Sequence, residues 1–175
     1  MFEEILSGIK LKQAKYIAQA ISLVENDENL ILDYLSPISC NSYRIGITGP
    51  PGAGKSSITN QLIKHYRKKN KRVGVLLVDP TSPFTHGAIL GDRIRMNEYH
   101  SDNNVFIRSL ATRGSKGGLS KNINYISNIL EYAEFDIIIF ETVGVGQVEL
   151  DVVESVDSVV VTLVPESGDD IQIMK

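Results

Sequence analysis

The stretch Gly49-Pro50-Pro51-Gly52-Ala53-Gly54-Lys55-Ser56 matches the pattern G-x-x-x-x-G-K-[ST] in full. Glycines in this pattern let the backbone wrap a phosphate with several N–H groups pointing inward. The lysine reaches the β and γ phosphates, and the serine hydroxyl is a ligand for Mg²⁺. The stretch therefore predicts a phosphate-binding loop, whose nucleotide contacts we extend by one residue to Ser57.

Apolar runs on both sides of the loop predict strands that alternate with helices. Strands are expected at 43–48, 73–78, 105–110, 135–140 and 158–164, of which the second and the last two are expected to be buried. Helices are expected at 55–69 and around 119–133, from their apolar spacing. This alternation predicts an α/β fold of the P-loop NTPase type, with a mostly parallel sheet, helices on both faces and ligands at the carboxyl ends of the strands.

The chain before the first strand predicts a helical N-terminal arm. Ala14, Ile17, Ala18, Ile21 and Val24 recur at helical spacing, which predicts one amphipathic helix over 3–25. A second short helix is expected around 28–35, ending before Ser36-Pro37. We divide the chain into an arm at 1–40 and a nucleotide-binding domain at 41–175, and expect the arm to pack on that domain, with packing on another chain as the alternative.

Composition argues against several classes of protein. The net charge of −3, the pI of about 5.6 and the absence of tryptophan disfavour a nucleic-acid binder. One basic cluster reads as a solvated helix end, with nucleic-acid binding as the alternative; its members are Lys64, Arg67, Lys68, Lys69, Lys71 and Arg72.

The location of the protein is predicted from its cysteine and its apolar runs. Cys40 is a single cysteine, and no secretory signal or membrane-spanning run is recognisable. We therefore expect a protein of the reducing cytoplasm that does not bind membranes, or of an organelle matrix if a leader was removed.

Acidic residues that end strands near the loop are candidate magnesium ligands. Asp79 closes the second strand and Glu141 the fourth. Magnesium prefers oxygen ligands and takes few from the protein, but an acidic residue at a strand end is equally often a cap or turn residue. Gly144 lies three residues after Glu141, an arrangement similar to the D-x-x-G switch of GTPases with Glu in place of Asp.

Three segments resemble the MeaB/ArgK/MMAA family: VDPTSPFTHGAILGDRIRM (78–96), IRSLATRG (107–114) and ETVGVGQ (141–147). The family comprises metallochaperone-type G proteins associated with methylmalonyl-CoA mutase, some labelled as amino-acid transport system kinases. The likeness covers almost the whole chain. It implies a SIMIBI-type G domain, the class of the signal-recognition and nickel-insertase GTPases, that uses Mg²⁺ and GTP or GDP, and a homodimeric full-length protein.

The resemblance also assigns roles to individual residues. Lys55 and Ser56 match the phosphate and magnesium residues, and Asp79, Asp92 and Glu141 match acidic active-site positions that ligate or sense the metal. From its position alone Asp92 would be a helix N-cap. Three mobile segments are implied: a first switch at 80–92, a second at 141–155 and a third at 165–175.

Several other polar residues keep two interpretations or none. Arg108 and Arg113 flank the end of the third strand, where they pair with phosphates or switch carboxylates, or form surface ion pairs. Gln147 is out of register to orient an attacking water. His86, in the first switch, is interpreted as an exposed loop residue.

The predicted function is a Mg²⁺-dependent GTPase switch that assists an adenosylcobalamin-dependent acyl-CoA mutase in cofactor loading or protection. The guanine-reading motif N/T-K-x-D is absent from the sequence, so we expect a chain truncated before that motif, and the preference for guanine rests on the resemblance. The alternatives are a P-loop kinase or ATPase that phosphorylates a small molecule or transport protein, and a nucleotide-dependent binding module with negligible turnover.

Overall fold

The computed structural model describes residues 2–26, 29–35, 42–79, 97–99, 101–111, 119–142 and 148–165. Five parallel strands form one sheet in the order β3-β2-β4-β1-β5. The strands are β1 (Tyr43–Thr48), β2 (Val73–Asp79), β3 (Val105–Ala111), β4 (Ile137–Thr142) and β5 (Ser158–Val161). The helices are α1 (Phe2–Lys10), α2 (Ala14–Glu25), α3 (Lys55–Lys68), α4 (Leu119–Tyr132) and α5 (Val148–Val153), with 3₁₀ turns at Asn29–Tyr34 and Asn97–Tyr99.

The sheet carries helices on both faces, as the sequence predicts. Alternate residues of β2 point to opposite sides: Val75 and Leu77 pack with α3, whereas Leu76 and Val78 join the core formed with α1, α2 and α4. All six residues of β4 are buried because this strand lies between two neighbours and two helical layers. The α/β fold with a parallel sheet is therefore confirmed.

The first part of the arm differs from its prediction, since 3–25 is not one helix. The chain turns between α1 and α2 at residues 11–13, where Lys12 has a φ of 61°. At Gly8 the two helices approach so closely that a Cβ atom would overlap the ring of Tyr16. The turn folds α1 back, so that Ile5 and Ile9 join the core that contains α2.

The remainder of the arm also packs within the chain. The segment expected as a helix at 28–35 is a 3₁₀ turn at Asn29–Tyr34, from which Ile31 is fully buried in the same core. The proposed boundary between residues 40 and 41, like Cys40 itself, lies outside the described residues and stays a prediction.

Arg108 of β3 holds the arm through polar contacts. Its guanidinium donates to the Ala18 carbonyl oxygen at 2.7 Å, to Ser22 Oγ at 2.8 Å and to Glu25 Oε2 at 2.5 Å. The Arg108 and Glu25 side chains are only 19% and 20% exposed. The ion-pair interpretation of Arg108 is thus confirmed, whereas Arg113 lies outside the described residues.

Replacing Arg108 by alanine should therefore loosen the arm. We expect the free energy of unfolding to fall by about 2 kcal/mol, because partly buried charge-assisted hydrogen bonds are lost together. Urea unfolding followed by circular dichroism measures the change. Lys64→Ala is the control, since its ion pair with Glu98 is exposed and should contribute less than about 1 kcal/mol. Equal stability of the two variants would mean that apolar packing alone holds the arm.

Two strands differ from their predictions. The strand expected at 135–140 begins two residues later, at Ile137, and Phe135 packs before it under the Arg72 guanidinium, 4.2 Å from the ring centroid. The segment 158–164 was expected to be a buried strand, which is wrong. Its strand ends at Val161 and lies at the edge of the sheet beside β1 only, which leaves Val161 60% exposed.

The basic cluster at the end of α3 is largely neutralised within the chain. Arg67 pairs with Asp102 at 2.7 Å, and Lys71 pairs with Asp136 at 2.8 Å. Arg72 is buried and donates to the Ala133 carbonyl oxygen. The cluster therefore consists mainly of partnered side chains, which is more specific than the solvated helix end that we predicted.

Tyr99 ties the short turn Asn97–Tyr99 to α3. Its hydroxyl lies 3.3 Å from the Asn60 carbonyl oxygen and also contacts the Asn60 side chain. Burial, followed by the charge of the adjacent Glu98, raises the pKa of Tyr99 to about 12. The phenol therefore keeps the proton that it donates to Asn60 to a higher pH than an ordinary tyrosine.

Within the described ranges, no helix combines the length and the apolar character that crossing a membrane requires.

Candidate functional site

The glycine-rich stretch forms the connection between β1 and α3 at the carboxyl edge of the sheet. Gly49, Gly52 and Gly54 have φ values of 131°, 80° and 86°, a region that favours glycine. At Gly49 a Cβ atom would in addition overlap the carbonyl oxygen and hydroxyl of Thr162. The loop conformation therefore depends on glycine at these positions, as expected for a backbone that wraps a phosphate.

Three buried threonines fix the start of the loop on the sheet. The backbone N–H and the hydroxyl of Thr162 lie 2.8 and 2.9 Å from the Thr48 carbonyl oxygen. The Thr142 hydroxyl lies 3.3 Å from the Thr48 hydroxyl. The loop thus begins from a strand end that is hydrogen-bonded on both sides, which holds its backbone donors in place.

Lys55 is the first residue of α3, and its side chain is only 7% exposed. Its ammonium group donates to the carbonyl oxygens of Gly49 at 2.7 Å and Pro50 at 2.9 Å. The loop therefore holds a positive charge at the N-terminus of a 14-residue helix, where the helix dipole also favours anions.

Glu141 brings a buried carboxylate to the same place. Because Ile47 of β1 pairs with Glu141 of β4, this residue lies beside the strand end that leads into the loop. Its Oε1 accepts from Ser56 Oγ at 2.5 Å, and its Oε2 accepts from Thr59 Oγ1 at 2.6 Å. Glu141 is 5% exposed, and among the described residues its carboxylate is held by two hydroxyl groups of α3.

The donor set fits magnesium. Ser56 and Glu141 offer hydroxyl and carboxylate oxygens, which are the ligands that this cation prefers, and magnesium takes only one or two from the protein. The described residues contain no group of three or more His, Cys, Asp or Glu side chains that could hold an ion, and the side chains of Asp79 and Asp92 are not among them. A cation would also compensate the buried charge of Glu141.

The predicted site residues fall into three groups according to how much of each residue the structure describes. The structure brings Glu141 to a loop whose predicted contacts are Gly49, Pro50, Pro51, Gly52, Ala53, Gly54, Lys55, Ser56 and Ser57, the last exposed on α3. Asp79 is the last residue of β2, in register with Ala111 of β3, but its side chain lies outside the described part. Asp92 and Gly144 lie outside the described residues altogether, so their roles stay predictions.

Thr59 belongs to the site and was missed in the sequence. Residues three apart on a helix share a face, so the spacing of Ser56 and Thr59 offered a signal. The partner of Thr59 stands 82 residues further along the chain, and the spacing did not reveal it.

The fold and the loop together define the class: the chain is a P-loop domain of the nucleoside-triphosphate-binding kind. Its residues 17–175 match the family described as methylmalonyl Co-A mutase-associated GTPase MeaB. This chain belongs to that family.

Relatives are found in archaea, bacteria and mammals. A protein of Pyrococcus horikoshii is 50% identical over 176 residues, which are 99% of this chain and 56% of the relative. GTPase ArgK of Escherichia coli is 38% identical over 98% of this chain and 54% of its own length. The mitochondrial methylmalonic aciduria type A homolog of Mus musculus is 42% identical over 99% of this chain and 46% of its own length.

A solved structure shares the fold. The crystal structure of a protein named LAO/AO transport system kinase matches with a TM-score of 0.68 and 27% identity, over 92% of this chain and 49% of the other. The chain spans about half the length of the curated relatives it matches.

Proposed function

We propose that this chain is the nucleotide-binding part of a Mg²⁺-dependent GTPase switch that assists an adenosylcobalamin-dependent acyl-CoA mutase. The assistance would be loading of the cofactor or its protection. The observation that carries the proposal is the phosphate-binding loop with Lys55 and the hydroxyl-held Glu141 at its end, in a family named after methylmalonyl-CoA mutase. GTP or GDP is the nucleotide by the same family membership.

The residues of the loop supply binding and charge neutralisation. Loop N–H groups and the Lys55 ammonium bind the phosphates and stabilise negative charge on them, which is the main contribution of a protein to phosphoryl transfer. The Ser56 hydroxyl would bind Mg²⁺. Glu141 would either bind the cation directly or orient the Ser56 hydroxyl that binds it. The cation, when bound, neutralises phosphate charge. Asp79, Asp92 and Gly144 are proposed to complete the site around metal and γ-phosphate.

Hydrolysis by the isolated protein should be slow. No glutamine stands in the register that orients the attacking water in small GTPases, since Val145 and Gly146 separate Gln147 from Gly144. A partner that orders the proposed switches at 80–92 and 141–155 should raise the rate at least about 10-fold by positioning groups at the site.

Incubation with radiolabelled GTP or ATP, with and without methylmalonyl-CoA mutase, tests the proposal. Slow release of phosphate from GTP that the mutase accelerates is the expected result, with Lys55→Ala as the inactive control. Transfer of label from ATP to a small molecule or protein would favour the kinase alternative, an activity that the name of the similar solved protein also carries. Tight binding of GTP without turnover under both conditions would leave a binding module.

A further inference from the structure

Thr59 contacts the proposed metal ligand Glu141, but the proposed chemistry gives it no role. It lies in the second turn of α3, and its side chain is fully buried. Its hydroxyl is 2.6 Å from Glu141 Oε2 and 3.1 Å from the Lys55 carbonyl oxygen. A threonine inside a helix commonly donates to the carbonyl four residues earlier, but here the charged carboxylate is the closer acceptor.

The Thr59 hydroxyl has a single proton, which it donates to the Glu141 carboxylate in preference to the Lys55 carbonyl oxygen. A hydrogen bond to a carboxylate is shorter and stronger than one to a neutral carbonyl, in agreement with the two distances. Glu141 is buried, so loss of this donor would leave Oε2 without a described partner and with little access to water. Thr59 thus fixes one oxygen of the carboxylate.

The other carboxylate oxygen controls Ser56. Because Glu141 Oε1 accepts the Ser56 proton at 2.5 Å, the lone pairs of the Ser56 oxygen remain available to a cation. A glutamate has one more rotatable bond than an aspartate, and therefore needs an additional contact to hold its carboxylate in one place. Thr59 supplies that contact from the same helix face as Ser56.

We propose that Thr59 is a positioning residue for the metal site: its hydroxyl holds the Glu141 carboxylate, which in turn orients the Ser56 hydroxyl for Mg²⁺. This role rests on the proposed function, because it presumes a metal-dependent nucleotide site. Groups that hold a metal ligand from behind typically contribute 10- to 100-fold, order of magnitude, to metal affinity.

The test compares Thr59→Val, which keeps the shape and removes the donor, with Thr59→Ser, which keeps the donor. Mn²⁺ affinity of the GDP-bound full chain is measured by electron paramagnetic resonance, and GDP affinity in EDTA by calorimetry. We expect Thr59→Val to weaken Mn²⁺ binding about 10-fold and Thr59→Ser to stay within about 3-fold of the parent. GDP affinity in EDTA should change less than about 2-fold, since the Thr59 hydroxyl lies against the backbone carbonyl oxygen of Lys55, whereas phosphate binding is proposed for the Lys55 ammonium and the loop N–H groups.

Ser127→Ala is the matched control, because Ser127 is a buried helix hydroxyl that donates only to the Ile123 carbonyl oxygen among its described contacts. It should leave Mn²⁺ affinity unchanged. Thr59→Ala is made beside Thr59→Val, so that a folding defect in one variant does not decide the outcome.

The possible failures are distinguishable. Parent-like Mn²⁺ affinity in Thr59→Val, beside a parent that binds Mn²⁺ and GDP together, overturns the role of Thr59 alone. A loss in Thr59→Ser as large as in Thr59→Val, or an equal loss of GDP affinity in EDTA, would assign Thr59 to packing. A parent whose GDP binding does not respond to Mn²⁺ overturns the proposed metal-dependent function together with this inference.

Discussion

Lys55→Ala is expected to weaken binding of GTP and GDP by about 10- to 150-fold. A hydrogen bond to a charged group contributes about 1.5–3 kcal/mol, which corresponds to that range in Kd. The structure places the Lys55 ammonium within the loop, on the Gly49 and Pro50 carbonyl oxygens. A phosphate in the loop would meet this charge without any rearrangement of the fold.

Calorimetric titration with GTP and GDP, with and without Mg²⁺, measures the effect. Lys68→Ala is the matched control, because Lys68 is an exposed lysine at the other end of α3. The affinity of this variant for GTP and GDP should stay within about 2-fold of that of the parent. The unfolding midpoint of Lys68→Ala should stay close to that of the parent, and that of Lys55→Ala is measured beside it because this substitution also removes two hydrogen bonds within the loop. If the Lys55→Ala protein binds GTP with the affinity of the parent, the assignment of this loop to the nucleotide site is wrong.

The sequence predicted those elements whose periodicity is strong and local. The bounds of β1, β2, β3, α3 and α4 agree with the structure to within one residue, since each element carries an apolar run or stripe of its own. The turn at residues 11–13 was missed because the apolar spacing on both sides of it is helical. The left-handed conformation of Lys12 does not alter this spacing. The exposure of β5 was missed because a buried and an edge strand differ in sheet order, which periodicity does not contain.

The candidate site shows the same difference between local features, which the sequence predicted, and long-range contacts, which it did not. Its loop is contiguous in sequence and was predicted in full. The remaining contacts join distant positions: Thr59 reaches Glu141 across 82 residues, and Thr162 reaches Thr48 across 114. The same holds for Arg108, whose interpretation stayed open until its partner Glu25 was known. Asp92 entered only through the resemblance, and its role stays a prediction.

Sheet order explains why a residue so far along the chain serves the loop. The strand β4 lies directly beside β1, so the register that pairs Ile47 with Glu141 sets the carboxylate one residue before the loop-leading Thr48. On the other side of β1, Thr162 directly follows the edge strand β5 and lies against Gly49. The loop therefore receives one neighbour that carries charge and one that fixes the backbone.

Glu141→Gln should separate metal binding from nucleotide binding. We expect Mg²⁺-dependent GTP hydrolysis to fall about 100-fold, because the amide carries no charge for the cation and accepts from only one of the two hydroxyls of Ser56 and Thr59. GDP affinity measured in EDTA, without metal, should be unchanged or higher, because the substitution removes a buried negative charge beside the phosphates. Glu131→Gln is the control, since Glu131 is a partly buried carboxylate paired with Arg44 at 2.9 Å, away from the loop.

Single-turnover hydrolysis over a Mg²⁺ series, together with GDP titration in EDTA, measures both effects on one preparation. A steep loss in the first and none in the second would place Glu141 at the metal. Equal losses of affinity with and without Mg²⁺ would instead make the Glu141 carboxylate a structural support for the start of α3, and the magnesium ligands would then have to come from elsewhere. Because the carboxylate is buried between two hydroxyls of the helix that begins with Lys55, the unfolding midpoint of Glu141→Gln is measured beside the activities, so that loss of packing is not mistaken for loss of metal.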